Sequence, residues 1–316
     1  METASKVSKK VIWLANGLVN IFVLAAILLM LGYGCYAMWD SSQVYSKADA
    51  AQYAVYKPTV ENKGLSFTEL QAINPEVFSW LTVYGTHIDY PVAQGENNLK
   101  YINTDAKGKY SLSGCLFLDT DCGKNFSDFS SIIYGHHMDR QTMFGEIGLF
   151  KDKSYFDARR YGRLYYNGQE KGLEFFAFVH ADAYDNSVFR TKITGQENQQ
   201  LYLNKLIKAA VYTRSDVSVR KDDRIVLLST CSASSTNGRD ILIGKITDKI
   251  YADTFKTVIT EETKAIPVIG SLPGIWEQAP LWTKIAIVVL TLLLILSFAV
   301  FIYTKKKRNA KRQLRR

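Results

Sequence analysis

A mostly β domain carried between two transmembrane helices is the fold that this sequence predicts, and three observations predict it. Val11 to Trp39 contains no charged residue. Ile285 to Tyr303 is a second uncharged run, bracketed by Lys284 and the basic tail KKKRNAKRQLRR. Between them, from Trp80 onward, short β-branched and aromatic runs alternate with Gly, Asn and Asp, the texture of a closed or nearly closed β-barrel with inserted helices.

Each uncharged run is long enough for the roughly 20 residues that cross the hydrocarbon of a bilayer. The first ends in YAMWD and lacks the short apolar core and small-residue cleavage site of a secretory signal, so it is expected to stay as an anchor. Lys6, Lys9 and Lys10 before the first span, and eight Lys or Arg after Tyr303, place both termini on the cytoplasmic side and the middle outside. Residues 1–10 carry +2 and residues 305–316 carry +8, so of the chain's net +9 the remainder keeps −1. The basic balance therefore reflects membrane topology and anionic lipid rather than nucleic acid, and no nucleic-acid role is expected.

The expected boundaries are a cytoplasmic N-terminus (1–10), a span (11–39), a juxtamembrane spacer (40–65), the extracellular domain (66–258), a Pro/Gly linker (259–284), a second span (285–303) and a basic cytoplasmic tail (304–316). The spacer reads as a helix ended at Lys57-Pro58. Ser66-x-x-Glu69 is a capping-box pattern opening a short helix that Asn74-Pro75 interrupts. The strand-like runs are WLTVYGTHIDYPVAQ, GCLFLD, SIIYGHHM, GRLYY, LEFFAFVHA, RIVLLSTC and ILIGKIT, with Asn167-Gly168 as a hairpin turn after RLYY. Two helical insertions are expected, Met143 to Phe150 and Gln196 to Tyr212, the latter with Leu201, Leu203, Leu206 and Ala209–Ala210 as its apolar stripe.

Of the four cysteines, Cys35 falls in the first span, Cys115 in a strand, Cys122 in a loop and Cys231 at the end of IVLLST. No C-x-x-C pair suggests a metal, and neither metal nor cofactor is expected. Sequence leaves open whether Cys115 and Cys122 pair. Cys231 stands where a strand end can present a nucleophile. His136 closes another apolar strand, SIIYG, and could exchange protons with a thiol. Arg239 begins the run RDILIGKI, so a returning loop would set a fixed cation beside the sulfur, where oxyanion charge develops. Each also has an ordinary structural reading taken alone: a buried thiol, a hydrogen-bonded imidazole, a solvated arginine.

Together LLSTC, YGHHM and GRD resemble the sortase pattern, and WLTVYGTHIDYPVAQ, QGENNLKYINTD, SGCLFLD and DDRIVLLSTC resemble its class B branch, collinear over about residues 70–250. The resemblance implies a closed barrel of about eight strands with inserted and N-terminal helices. It implies that Cys231 attacks a carbonyl in a C-terminal sorting signal of a surface protein or pilin, giving a thioester. His136, the histidine directly after glycine, would serve as acid and base, with Arg239, and backbone around Thr230, holding the oxyanion. It further implies a substrate groove of Asn98, Ile102, Val188, Phe189, Ser229 and Thr230. His87 and His180 match no catalytic position. The second span departs from the usual class B layout and is more familiar in pilus-assembling class C sortases, which leaves the amine acceptor open between a peptidoglycan precursor and a pilin lysine. No Asp-Pro-Trp lid motif precedes Trp80, so an uncapped site is expected.

A phosphatase loop needs C-x5-R, and Asn237 stands at that arginine's position. A papain-like protease would place its histidine after the cysteine. The remaining alternative is a membrane-tethered binding or scaffold domain that has lost activity.

Overall fold

The segment Arg224–Cys231 is buried from Ile225 to Thr230 without interruption, which explains why its sequence runs IVLL instead of alternating with polar residues. Val226 and Leu228 point into one hydrophobic cluster, Ile225 and Leu227 into another on the opposite face. A strand covered on both faces must lie in the middle of a layered structure, and the rest of the fold supplies those layers.

The computed structural model describes residues 2–58, 65–232 and 237–255. Nine strands form the sheet: β1 Val77–Val83, β2 Asp89–Ala93, β3 Leu116–Leu118, β4 Ser130–Tyr134, β5 Tyr161–Tyr166, β6 Gln169–Asp182, β7 Ala210–Thr213, β8 Arg224–Cys231 and β9 Gly238–Thr247. Their order is β5-β1-β2-β3-β4-β8-β9-β6, and β5 pairs back onto β6, so eight strands close a barrel. The ninth, β7, adds to the distal half of β6. That half is free because β6 is long: residues 169–174 pair with β5 while residues 172–182 run along β9. The expected hairpin is present, with both Asn167 (φ 50°) and Gly168 (φ 72°) in the left-handed region that a two-residue turn requires.

Inside the barrel, Phe175 is fully buried and its ring lies over two glycines. A Cβ on Gly162 would stand 3.1 Å from it, and one on Gly244 2.9 Å. Outside, helix α4 (Gln196–Ala209) lays Tyr202, Leu203 and Leu206 over Ile225, Leu227, Ile241 and Ile243. The inward stripe differs from the expected one: Leu201 is exposed and Tyr202 takes its place. The helix also ends at Ala209, because Ala210–Thr213 finds backbone partners on β6 and becomes β7. The expected helix over Met143–Phe150 is a 3-10 turn, Gly145–Lys151, followed by α3 (Lys153–Ala158), capped by Asp152 through Ser154 N (2.8 Å) and Tyr155 N (3.0 Å).

At the N-terminus, α1 (Glu2–Ala48) carries the first apolar run; among the described residues this is the one helical stretch long and apolar enough to cross a bilayer. The expected linker, second span and basic tail lie outside the described residues. The segment expected as a spacer packs on the barrel instead: Ala48 and Tyr53 are buried, Tyr90 Oη donates to the Ala48 carbonyl (2.9 Å), and Lys57 pairs with Asp89. Helix α2 (Leu65–Ile73) buries Phe67 and Leu70. Ser66 lies within α2, and its hydroxyl donates to the Lys57 carbonyl (3.3 Å). Cys115 and Cys122 are separate, buried thiols, not a disulfide.

Phe175→Ala is expected to lower unfolding free energy by about 3–5 kcal/mol, the cost of an emptied aromatic site. Here glycines cannot fill the gap, and the loss is measurable by denaturant unfolding of the purified protein.

Candidate active site

Three adjacent strands bring the candidate residues together. Strand β4 runs parallel to β8 with Tyr134 opposite Ser229, and the pairing continues one step as Gly135 N–H donates to the Ser229 carbonyl (3.1 Å). His136 follows, level with the end of β8. Only glycine fits before it, since a Cβ at 135 would come within 2.4 Å of Leu116 and 2.7 Å of Phe144. On the other side β8 and β9 are antiparallel, and their last rung sets Cys231 directly opposite Arg239. Ser232 N–H extends that ladder to the Gly238 carbonyl (2.8 Å).

Cys231 is exposed, and Arg239, half-buried, donates Nη1 to the Gly238 carbonyl (3.1 Å). His136 Nε2 is 2.8 Å from the Ile102 carbonyl. A carbonyl only accepts, so Nε2 carries a proton. Beneath Ile102, Gly114 (φ +61°) lies so close that a Cβ there would be 2.5 Å from the Tyr101 oxygen and 2.6 Å from that of Ile102. That glycine lets the Ile102 carbonyl take up its place.

Cys231, His136 and Arg239 open on one cavity of about 330 Å³. Asn98, Ile102, Phe189, Ser229 and Thr230 also line it. Val188 does not: it is 2% exposed and belongs to the core cluster under α4. Ile102 does both jobs, packing against the barrel core with its side chain while facing the cavity. The sequence reading missed Phe117, Tyr134, Gly135 and Ala183, which complete the walls. Tyr134 and Gly135 directly precede His136 and were legible from that adjacency; Phe117 and Ala183 arrive through strand pairing and carried no local signal. The Ser229 hydroxyl, in the cavity wall, and that of Thr230 are buried without a hydrogen-bond partner among the described residues.

The other histidines are engaged elsewhere. His87 Nδ1 lies 3.3 Å from Glu146, and His180 Nδ1 lies 2.8 Å from Asp240. His137 pairs by backbone with Met143. Burial separates the thiols: desolvation pushes Cys122 up to about 12 and Cys115 higher still, so neither supplies a thiolate near neutrality.

No family model matches the chain. It is 31% identical to sortase B of Listeria monocytogenes over 212 residues, 66% of this chain and 83% of that protein. The chain belongs to the sortase B family. Among solved structures, sortase B from the type II pilus of Streptococcus pneumoniae is 45% identical, covers 58% of this chain and 99% of its own, and gives a TM-score of 0.51. A Streptococcus pyogenes class B sortase involved in pilus biogenesis is 41% identical, with the same 58% and 99% coverage and a TM-score of 0.53. As a sortase the chain is a cysteine transpeptidase.

Two outcomes follow from this geometry. A charged thiol reagent applied to the folded protein is expected to modify Cys231 and spare Cys115 and Cys122, as peptide mass mapping would record. Gly114→Ala should cost about 1–3 kcal/mol, the usual penalty for a forced left-handed residue. It should also displace the Ile102 carbonyl, and a change in the His136 ring signals by NMR would report that movement.

Proposed function

We propose that this sortase cleaves a C-terminal sorting signal through a Cys231 thioester and passes the acyl group to an amine. The observation that carries the reading is the terminal rung of β8 and β9, Cys231 opposite Arg239, with His136 in the same cavity. The thiolate adds to the scissile carbonyl carbon, forming a C–S bond while the carbonyl electron pair moves to oxygen. The Arg239 guanidinium stabilises that oxyanion, a fixed charge needing no reorganisation as the barrier is crossed. Collapse breaks the C–N bond, and protonated His136 gives its proton to the departing amine. In the second half-reaction an incoming amine adds to the thioester, His136 takes back a proton, and C–S cleavage restores the thiolate. The imidazolium and thiolate present at the start are thus regenerated.

Asn98, Ile102, Phe189, Ser229 and Thr230 form the groove for the sorting signal in this reading, and no metal or cofactor takes part. Val188 supports it from the core. The clients are surface proteins or pilins. Of the two acceptors, a pilin lysine is favoured over a peptidoglycan amine by the 45% and 41% identity to the two streptococcal sortases linked to pili. Helix α1 anchors the chain, with Lys6, Lys9 and Lys10 cytoplasmic, and the catalytic domain lies on the extracellular face. The basic tail, on the same rule, returns to the cytoplasm after a second span.

The deciding experiment incubates the full-length protein in detergent with fluorogenic sorting-signal peptides and either a pilin domain or glycine oligomers. Cleavage, a thioester adduct and ligation are expected, all lost in Cys231→Ala. Arg239→Ala should lower kcat/KM about 10²–10³-fold, the range for removal of one oxyanion donor. An intact, folded protein that forms no thioester with any peptide would sink the enzymatic mechanism and leave a tethered scaffold.

A further inference from the structure

Asp119 does not line the cavity, yet it holds two residues that do. It follows β3, is 8% exposed, and its backbone N–H continues the β3–β4 ladder to the Ile132 carbonyl (2.9 Å). Oδ2 accepts from Asn98 Nδ2 (3.0 Å) and from Tyr134 Oη (3.1 Å), while Oδ1 accepts from Asp121 N–H (2.9 Å). Among the described residues no cation pairs with it. A carboxylate buried among donors alone is costly to place unless those donors matter, and two of the three face the cavity.

The contacts fix which way each group faces. Asn98 Oδ1 accepts from Thr120 N–H (2.9 Å) while its Nδ2 donates to the carboxylate. The reversed amide would set oxygen against carboxylate and N–H₂ against N–H, so the orientation is unique. Its second Nδ2 hydrogen has no partner among the described residues and can point at a ligand. Tyr134 spends its only hydrogen on Asp119, and burial followed by the Asp119 charge raises its phenol's pKa, keeping that hydrogen in place. What Tyr134 keeps is acceptor capacity.

We infer that Asp119 is a positioning residue that sets substrate specificity, holding Asn98 as a donor and Tyr134 as an acceptor so that this wall reads an amide, one carbonyl and one N–H, in the bound peptide. The inference rests on the reading of this cavity as the sorting-signal groove. Asp119→Asn keeps one acceptor oxygen and replaces the other with an N–H₂ donor. With the remaining oxygen on the Asp121 N–H, Asn98 loses its acceptor and Tyr134 is free to turn its hydroxyl into the cavity.

The test uses the full-length protein in detergent and the best sorting-signal peptide. In a Cys231→Ala background, calorimetry should show Asp119→Asn weakening peptide binding about tenfold, roughly the value of one hydrogen bond to a charged group. In the chain with Cys231 intact, KM should rise by a similar factor with kcat within about twofold. In an Asn98→Ala/Tyr134→Phe background the same substitution should change nothing further. A full tenfold loss persisting in that background, or a fall in kcat with KM unchanged, overturns the inference. If Asp119→Asn does not fold, Tyr134→Phe alone must raise KM, and an unchanged KM overturns it. Binding that weakens as expected in a protein that forms no thioester would sustain Asp119's role while refuting the proposed chemistry; no peptide binding at all refutes both.

Discussion

The register of β8 between β4 and β9 is the constraint on which the site depends. Side chains alternate faces along a strand, so sliding β8 by one residue against either neighbour would turn Cys231 into the barrel and bring Thr230 outward. Two different pairings hold that register. The parallel pairing with β4 makes both strands end at the same rim, which brings His136 and Cys231 out side by side although they are far apart in sequence. The antiparallel pairing with β9 lets the chain turn and return, so Arg239 reaches the rim from the opposite direction.

What holds the register is burial on both faces. Val226 and Leu228 cannot exchange places with Ile225 and Leu227 without opening the barrel core and the α4 layer together. The site occupies the place where that outer layer stops: Ser229 and Cys231 continue the outward face beyond the side chains that α4 covers. A rigid double-sided strand ending at an open rim holds a nucleophile more firmly than a surface loop would.

Much of this was legible in the residues, and the misses share a cause. Cys231, His136 and Arg239 each end or begin an apolar run, and an apolar run is a local signal. Phe117 and Ala183 reach the cavity, and Asp119 comes up behind it, because β3 pairs with β4 and β6 pairs with β9, and no window of neighbouring residues contains that information. β7 was hidden for a similar reason: Ala210–Thr213 continues the helical pattern of α4 and becomes a strand because β6 has unpaired backbone there. Val188 and its neighbour Phe189 were both expected in the groove, but their side chains part, Val188 going to the core and Phe189 to the cavity.

The arrangement around His136 bears on how the energy of binding is used. Its proton is held on the Ile102 carbonyl, and a typical hydrogen bond of that kind contributes only about 0.5–1.5 kcal/mol net. In the proposed mechanism, exchanging it for a departing amine is therefore a small cost, provided the carbonyl finds another donor. A peptide in the cavity brings N–H groups of its own. Such contacts are worth most when made together with the shift of the proton, because interactions that strengthen as the barrier is crossed accelerate the chemical step and those already complete in the ground state do not.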